Sequence, residues 1–108
     1  MPITAGSLAD GQLPTTVGAL YTVPASTTAI IKSFVIFNTN AATQTVNVYI
    51  TRSGSTRRQL HQFSVLQNAS VVVLANGETW ALSTGDTIDG DTTTGTAVDY
   101  VITGATDA

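Results

Sequence analysis

The feature that most constrains the fold of this sequence is a series of short runs rich in β-branched and aromatic residues, separated by turn residues about every ten positions. Helical periodicity is absent from these runs, and Thr, Val and Ile are frequent where a helix would favour Ala, Leu, Glu and Lys. The predicted strands are Val17 to Val23, Ala29 to Phe37, Thr45 to Arg52, Gln59 to Leu66, Ser70 to Ala75, Glu78 to Leu82, Thr87 to Ile88 and Thr96 to Thr103. We therefore expect an all-β fold of about eight or nine short strands, a jelly-roll-like antiparallel β-sandwich, ahead of a closed barrel or an immunoglobulin-like topology.

The turns between the runs predict how the strands connect. Polar loop residues separate the second, third and fourth predicted strands, which we expect to be successive antiparallel neighbours. The third alternates most clearly, with Val46, Val48 and Ile50 on one face and polar side chains on the other. Asn76-Gly77 fits a type I′ turn, which needs positive φ at both central residues, and predicts a hairpin between the strands on either side of it.

The strand from Ala29 to Phe37 is apolar on both faces. On strict alternation, one face carries Ile31, Val35 and Phe37, and the other carries Ile30, Phe34 and Ile36 with Lys32 among them. A strand with one wet face would alternate apolar and polar residues. We therefore expect one face to pack on the core and the face with Ile30, Phe34 and Ile36 to be covered by another subunit.

The composition narrows the class of protein. A chain of 108 residues forms one domain, and the absence of cysteine excludes disulfides and thiolate metal sites. Only 10% of the residues are charged and the net charge is −3, which disfavours a nucleic-acid partner because phosphate binding requires clustered Lys and Arg. No apolar run approaches the roughly 20 residues of a membrane span, and no leader pattern follows Met1. We expect neither a membrane partner nor secretion.

Residues 1–14 differ from the rest of the chain. They are small and polar, with the isolated apolar residues Ile3, Leu8 and Leu13 and no periodicity. Such a segment is either a frayed terminus or an extended arm whose apolar residues insert into a neighbouring subunit. We interpret residues 1–14 as an arm and residues 15–108 as a single sandwich domain.

Few residues offer reactive chemistry. His61 is the one histidine, and no nucleophile-elbow pattern accompanies it, so a structural role is favoured over catalysis. The carboxylates Asp86, Asp89 and Asp91 could supply oxygen ligands to calcium, but the closing Glu of an EF-hand loop is absent, and Asp-Gly turn formation is the stronger interpretation. We expect no catalytic residue, no metal and no cofactor. Function should therefore lie in surfaces.

Two other features could contribute to such surfaces. Arg57 and Arg58 form a basic pair that either anchors to an acidic partner or belongs to a solvated turn. Trp80 is expected to be an anchor in the core or at an interface.

Several blocks, taken in order, resemble a group of small virion proteins of tailed bacteriophages. The blocks are Leu20-Tyr21-Thr22-Val23-Pro24, Thr28-Ala29-Ile30-Ile31-Lys32-Ser33 and Asn38-Thr39, then Gly77-Glu78-Thr79, Leu82 and Gly85-Asp86-Thr87-Ile88. The resemblance implies a β-sandwich subunit of the phage particle, assembled in the bacterial cytoplasm, either as a capsid cement (decoration) protein or as a tail or fibre accessory protein that binds a receptor. It brings no catalytic residues.

A cement protein would bind the outside of the major capsid protein lattice and stabilise the head. A homotrimer would match the threefold points of such a lattice, because closed cyclic symmetry suits those sites. The residues expected at the subunit and capsid contacts are Ile3, Leu8, Leu13, Ile30, Phe34, Ile36, Arg57, Arg58 and Trp80. The aromatic-free loops Asn38 to Thr43 and Asp89 to Gly95 favour cement over a sugar-binding tail protein.

Overall fold

The computed structural model describes residues 3–74, 79–95 and 97–107, with the side chains of residues 3–5 left out. In these ranges the chain forms nine β-strands and no helix. The strands are β1 (Ile3–Gln12), β2 (Gly18–Thr22), β3 (Thr28–Asn38), β4 (Gln44–Thr51), β5 (Arg58–Val65), β6 (Ser70–Leu74), β7 (Trp80–Leu82), β8 (Thr87–Thr92) and β9 (Val98–Asp107).

The strands form two antiparallel sheets that pack face to face. The first sheet has the order β1-β9-β3-β6, with β7 also paired to β3, and the second sheet has the order β2-β8-β4-β5. Since β6 and β7 both run antiparallel to β3, at Phe34 to Phe37 and at Ala29 to Ile31, they act as one interrupted strand. Counting them once gives two four-stranded sheets in the arrangement of a jelly roll. The predicted antiparallel sandwich is confirmed.

Two predicted connections are wrong for the strands that the structure describes. β3 and β4 lie in different sheets, because the chain crosses the sandwich after Asn38, whose buried side-chain amide donates to the carbonyls of Val65 (2.8 Å) and Ala42 (3.0 Å). The strands on either side of Asn76-Gly77 run in the same direction along β3 and are not hairpin partners. Asn76 and Gly77 themselves lie outside the described residues.

A β-bulge in β3 changes which of its side chains face the core. The register against β9 shifts between Ile31 and Ser33, so Lys32 is the extra residue. Ile31, before the bulge, and Phe34 and Ile36, after it, are therefore all buried at 0% exposure. The prediction that Phe34 and Ile36 share a face with Ile30 is wrong, and these two side chains are enclosed by the chain's own second sheet.

Within the segment 1–14, predicted as an arm, residues 3–12 instead form the edge strand β1 of the first sheet. β1 pairs with β9 from Ile3 to Gln12, with a bulge at Leu8. Leu13 follows at 1% exposure inside the core, and Leu8 packs against the same core. Leu8 and Leu13 therefore pack within their own subunit. The side chain of Ile3 lies outside the described set.

The core fills the space between the two sheets. The first sheet contributes Phe34, Ile36 and Ile102, and the second sheet contributes Val46, Val48 and Ile88, all at 0% exposure. The alternation predicted for β4 is confirmed, since Val46, Val48 and Ile50 face inward. Burial of this apolar area is the main driving force for holding the sheets together.

Candidate interaction surfaces

The outer face of the first sheet carries an apolar stripe. The bulge at Lys32 turns Val35 and Phe37 outward, and Val72 of β6 and Val101 of β9 lie directly opposite Val35. Phe37 is 39% exposed, Val101 is 44% exposed and Val72 is 55% exposed. We refer to Val35, Phe37, Val72 and Val101 as the apolar stripe. Contiguous exposed apolar residues of this kind mark surfaces that contact other molecules.

A cavity of about 210 Å³ lies near one end of the same sheet. It is lined by Thr28, Ile30, Ala105, Thr106 and Asp107. Ile30 is 39% exposed and pairs with Ala105 across the two strands. The cavity is smaller than the roughly 300–1,000 Å³ typical of small-molecule sites, and its size suits a single apolar side chain.

Charges flank the apolar stripe on two sides. Asp99 pairs with Phe37 in the register, and its carboxylate accepts a hydrogen bond of 3.2 Å from Gln12. Lys32 is exposed at the bulge, two residues from Ile30. The two ion pairs formed by the described residues both involve other cations, Arg52 and Arg57. The face is therefore acidic beside Phe37, whereas the cavity end carries both Lys32 and the cavity-lining Asp107.

The outer face of the second sheet carries a polar network. The amide of Asn47 donates to Asp91 at 2.8 Å, and its carbonyl oxygen accepts from Gln59 and Gln62, each at 3.0 Å. The Tyr49 hydroxyl donates to Asp91 at 3.1 Å. Burial is the main cause that raises the pKa of Tyr49. The hydrogen bond to Asp91 and the negative charge of that carboxylate raise it further, whereas the positive charge of Arg57 lowers it. We refer to Asn47, Tyr49, Gln59, Gln62 and Asp91 as the polar network.

Asp89 lies beside this network and is almost fully covered. Its side chain is 2% exposed, accepts a hydrogen bond of 2.6 Å from the Thr51 hydroxyl and forms an ion pair of 3.1 Å with Arg57. The Arg57 guanidinium also lies 5.9 Å from the centre of the Tyr49 ring. Arg57 is thus tied to its own subunit, whereas the neighbouring Arg58 is exposed at the start of β5.

Asp86 stabilises the turn that leads into β8. Its carboxylate accepts hydrogen bonds of 2.9 Å from the backbone N–H groups of Ser53 and Ser83 and from Arg52. Burial opposes ionisation, but these donors outweigh it and lower the pKa of Asp86 below its usual value. The described residues contain no cluster of three or more side chains suited to hold a metal ion. Asp86, Asp89 and Asp91 instead meet protein donors.

An aromatic stack closes the side of the sandwich where β5 and β7 approach each other. The His61 ring is stacked on Phe63 at 5.3 Å and on Trp80 at 6.4 Å between centroids. Trp80 meets the buried Phe34 edge to face at 6.4 Å. Trp80 and His61 are half-buried and connect the core with the lateral surface. This arrangement accords with a structural role for His61.

The structure separates the residues that the sequence grouped as an interface. Ile30 lies on the outer face of the first sheet, Trp80 and Arg58 lie near the β5 and β7 edges, and Arg57 lies beside the polar network. The apolar stripe was missed. Its available signal was two short runs that are apolar on both faces, Tyr100 to Ile102 with Val101 and Ser70 to Leu74 with Val72.

Comparison of this chain with protein-family models, with curated proteins and with solved structures finds no match. Within the described ranges there is no helix that could cross a membrane.

Proposed function

We propose that this chain is a structural subunit of a tailed-bacteriophage particle, a cement protein that binds the outside of the major capsid protein lattice as a homotrimer. The observation that carries the proposal is the apolar stripe on one face of a jelly roll whose opposite face is polar. A subunit that lies on a particle needs one face for protein contacts and one face that tolerates solvent. Catalysis has no part in this proposal.

The arrangement of the resembling blocks supports the proposal. Leu20 to Pro24 and Gly85 to Ile88 are distant in the sequence but adjacent in the fold, with Tyr21 opposite Ile88 in the register of β2 and β8. The backbone N–H of Val23 donates to the backbone carbonyl of Asp86 at 3.0 Å, and the backbone N–H of Gly85 donates to the backbone carbonyl of Val23 at 3.1 Å. These two blocks of the resemblance therefore belong to one structural unit.

Capsids assembled with and without the protein test the proposal. Wild-type protein should bind intact capsids at saturable sites, and loaded capsids should retain DNA at temperatures or osmotic shocks that empty bare ones. Equal retention of DNA by loaded and bare capsids would contradict the cement function. Binding of the protein to isolated phage tails, measured in the same way, is the control that distinguishes a preference for capsids from a preference for tails.

A tail or fibre protein that binds a receptor is the second candidate. The polar network favours it, because amides, carboxylates and a tyrosine on one exposed sheet are groups that bind sugars. These groups already bond one another, which favours the cement function. Saturable binding of purified protein to host cells, lost in Tyr49→Ala and kept in Thr45→Ala, would support the receptor-binding function. Absence of binding would contradict it.

A further inference from the structure

We propose that the outer face of the first sheet is the contact between two copies of this chain, with Phe37 of one copy seated in the Ile30 cavity of the next. The inference rests on the self-association in the proposed function and not on the capsid. The occupant is a second copy because the face contains both halves of a matching contact.

The first matching element is a projecting aromatic ring and a cavity that suits it. Phe37 is 39% exposed on a rigid central strand, and the cavity of about 210 Å³ around Ile30 lies farther along the same strand. Seven positions separate Phe37 from Ile30, which with one bulged residue corresponds to about 20 Å. A single molecule cannot bring these two sites together, so the ring and the cavity can only meet between copies.

The second matching element is charge. Asp99 lies opposite Phe37 in the register, and Lys32 lies two residues from Ile30. Seating Phe37 in the cavity of another copy brings Asp99 of the first towards Lys32 of the second, where Lys32 also offsets the repulsion between Asp99 and the cavity-lining Asp107. An ion pair at the rim of an interface fixes register and steers association more than it adds affinity.

The third matching element is size. Strand spacing and rise give the four-stranded outer face a projected area of about 600 Å², comparable with the roughly 800 Å² that each partner buries in a standard interface. The apolar stripe lies towards the Asn38 end of β3 and the Ile30 cavity lies towards its Thr28 end, so the two apolar sites together span the length of the face. Asp99 lies at the Phe37 end, and Lys32 lies near the middle of β3. The face is therefore large enough and suitably arranged for a stable contact.

Sedimentation of purified protein over a range of concentrations tests the contact. Phe37→Asp should raise the dissociation constant of the oligomer at least about thirty-fold, as expected for an interface hot spot. Leu60→Asp is the matched control, because Leu60 is 41% exposed on β5 of the other sheet and should change the constant less than about three-fold. Thermal unfolding of both variants checks that each is folded.

Cross-linking supplies a second test that does not depend on a disruptive substitution. The chain contains no cysteine, so Phe37→Cys and Ile30→Cys each introduce a single thiol. Under mild oxidation, a mixture of the two variants should form a disulfide-linked pair of chains much faster than either variant alone. Equal rates in the mixture and in the separate variants would overturn the proposed contact.

The outcomes separate this contact from the proposed function. An oligomer unaffected by Phe37→Asp overturns the contact and leaves capsid binding untouched. A wild-type chain that is monomeric at all concentrations overturns the contact and the homotrimer together. An oligomer disrupted by Phe37→Asp supports the contact, even if capsids fail to bind the wild-type protein and the cement function is lost.

Discussion

The outer faces of the two sheets differ in chemistry although both belong to one sandwich. The first sheet presents the apolar stripe, while the second presents the polar network, in which amides, carboxylates and a tyrosine hydroxyl bond one another. Phe37 and Leu60 show that the difference is not simply one of exposure, since they are 39% and 41% exposed on different sheets. Leu60 is an isolated bulged residue among polar neighbours, whereas Phe37 belongs to a contiguous apolar set.

The comparison teaches that a single bulge can determine the chemistry of a face. If Lys32 were paired in a regular strand instead of bulged, Val35 and Phe37 would continue the inward set of Ile31, and Phe34 and Ile36 would face outward. The second sheet needs no such change in β4, where the apolar residues alternate inward without interruption. The predictions below test whether the two faces have separate roles, from the largest expected effect to the smallest.

The bulge should depend on Gly104. A Cβ at this position would collide with the backbone carbonyl of Ile30, and backbone cannot move away as a flexible side chain can. Gly104→Ala should therefore lower the free energy of unfolding by about 3 kcal/mol or more. Chemical denaturation measures the change, and Gly18→Ala, where only ordinary contacts arise, should cost much less. Equal costs would show that the bulge does not require glycine.

The polar face should act on stability and not on association. Asp89→Ala removes a carboxylate that is 2% exposed, leaving the Thr51 hydroxyl and Arg57 without their acceptor. We expect a loss of about 2 kcal/mol in the free energy of unfolding, since hydrogen bonds to charged groups contribute about that much. Sedimentation should give an unchanged dissociation constant. Ser64→Ala, exposed on the same face, is the control and should be within about 0.5 kcal/mol of wild type.

Acid should weaken the turn before β8 through Asp86. Because its pKa is lowered in the folded protein, the unfolded chain takes up the proton first as the pH falls, and the stabilisation is lost below the ordinary carboxyl pKa of about 4. Asp86→Asn should cost about 1–2 kcal/mol at pH 7 and less at pH 3. Urea denaturation at both pH values checks this. A cost that does not change with pH would mean that the charge of Asp86 contributes nothing.

The apolar stripe should matter little for the stability of a single subunit. Val72 is 55% exposed and the adjacent Val73 is 6% exposed, which makes them a matched pair. In dilute solution, where subunits are separate, Val72→Thr should change the free energy of unfolding by less than about 0.5 kcal/mol. Val73→Thr buries a hydroxyl and should cost about 1–3 kcal/mol. Equal costs would indicate that the stripe serves folding rather than association.

The fold could be predicted from the sequence where alternation was regular. The pattern of β4 gave the correct inward residues, because each of its apolar positions is spaced by two. The faces of β3 could not be predicted in the same way, since strict alternation assumes that no residue is bulged. Gly104, which lies opposite the bulge, was the available signal, but its role depends on a pairing that joins residues far apart in the chain.

The candidate contact residues were harder to predict than the strands. Ile30 was identified correctly as an exposed apolar residue, but Phe37 was assigned to the core face because of the same unseen bulge. Leu13 was taken for part of an arm, although it is enclosed by the sandwich at 1% exposure. An isolated leucine in a polar segment has no periodicity that would indicate which way it points.

Hydroxyl-radical footprinting at low and high protein concentration tests most directly whether the two faces have different roles. Phe37 and Leu60 have nearly equal exposure in the isolated chain, so both should be modified readily in dilute solution. As the concentration rises, we expect Phe37 to become protected while Leu60 does not, and Val101→Asp should abolish the protection. Equal modification of Phe37 at both concentrations would contradict the account.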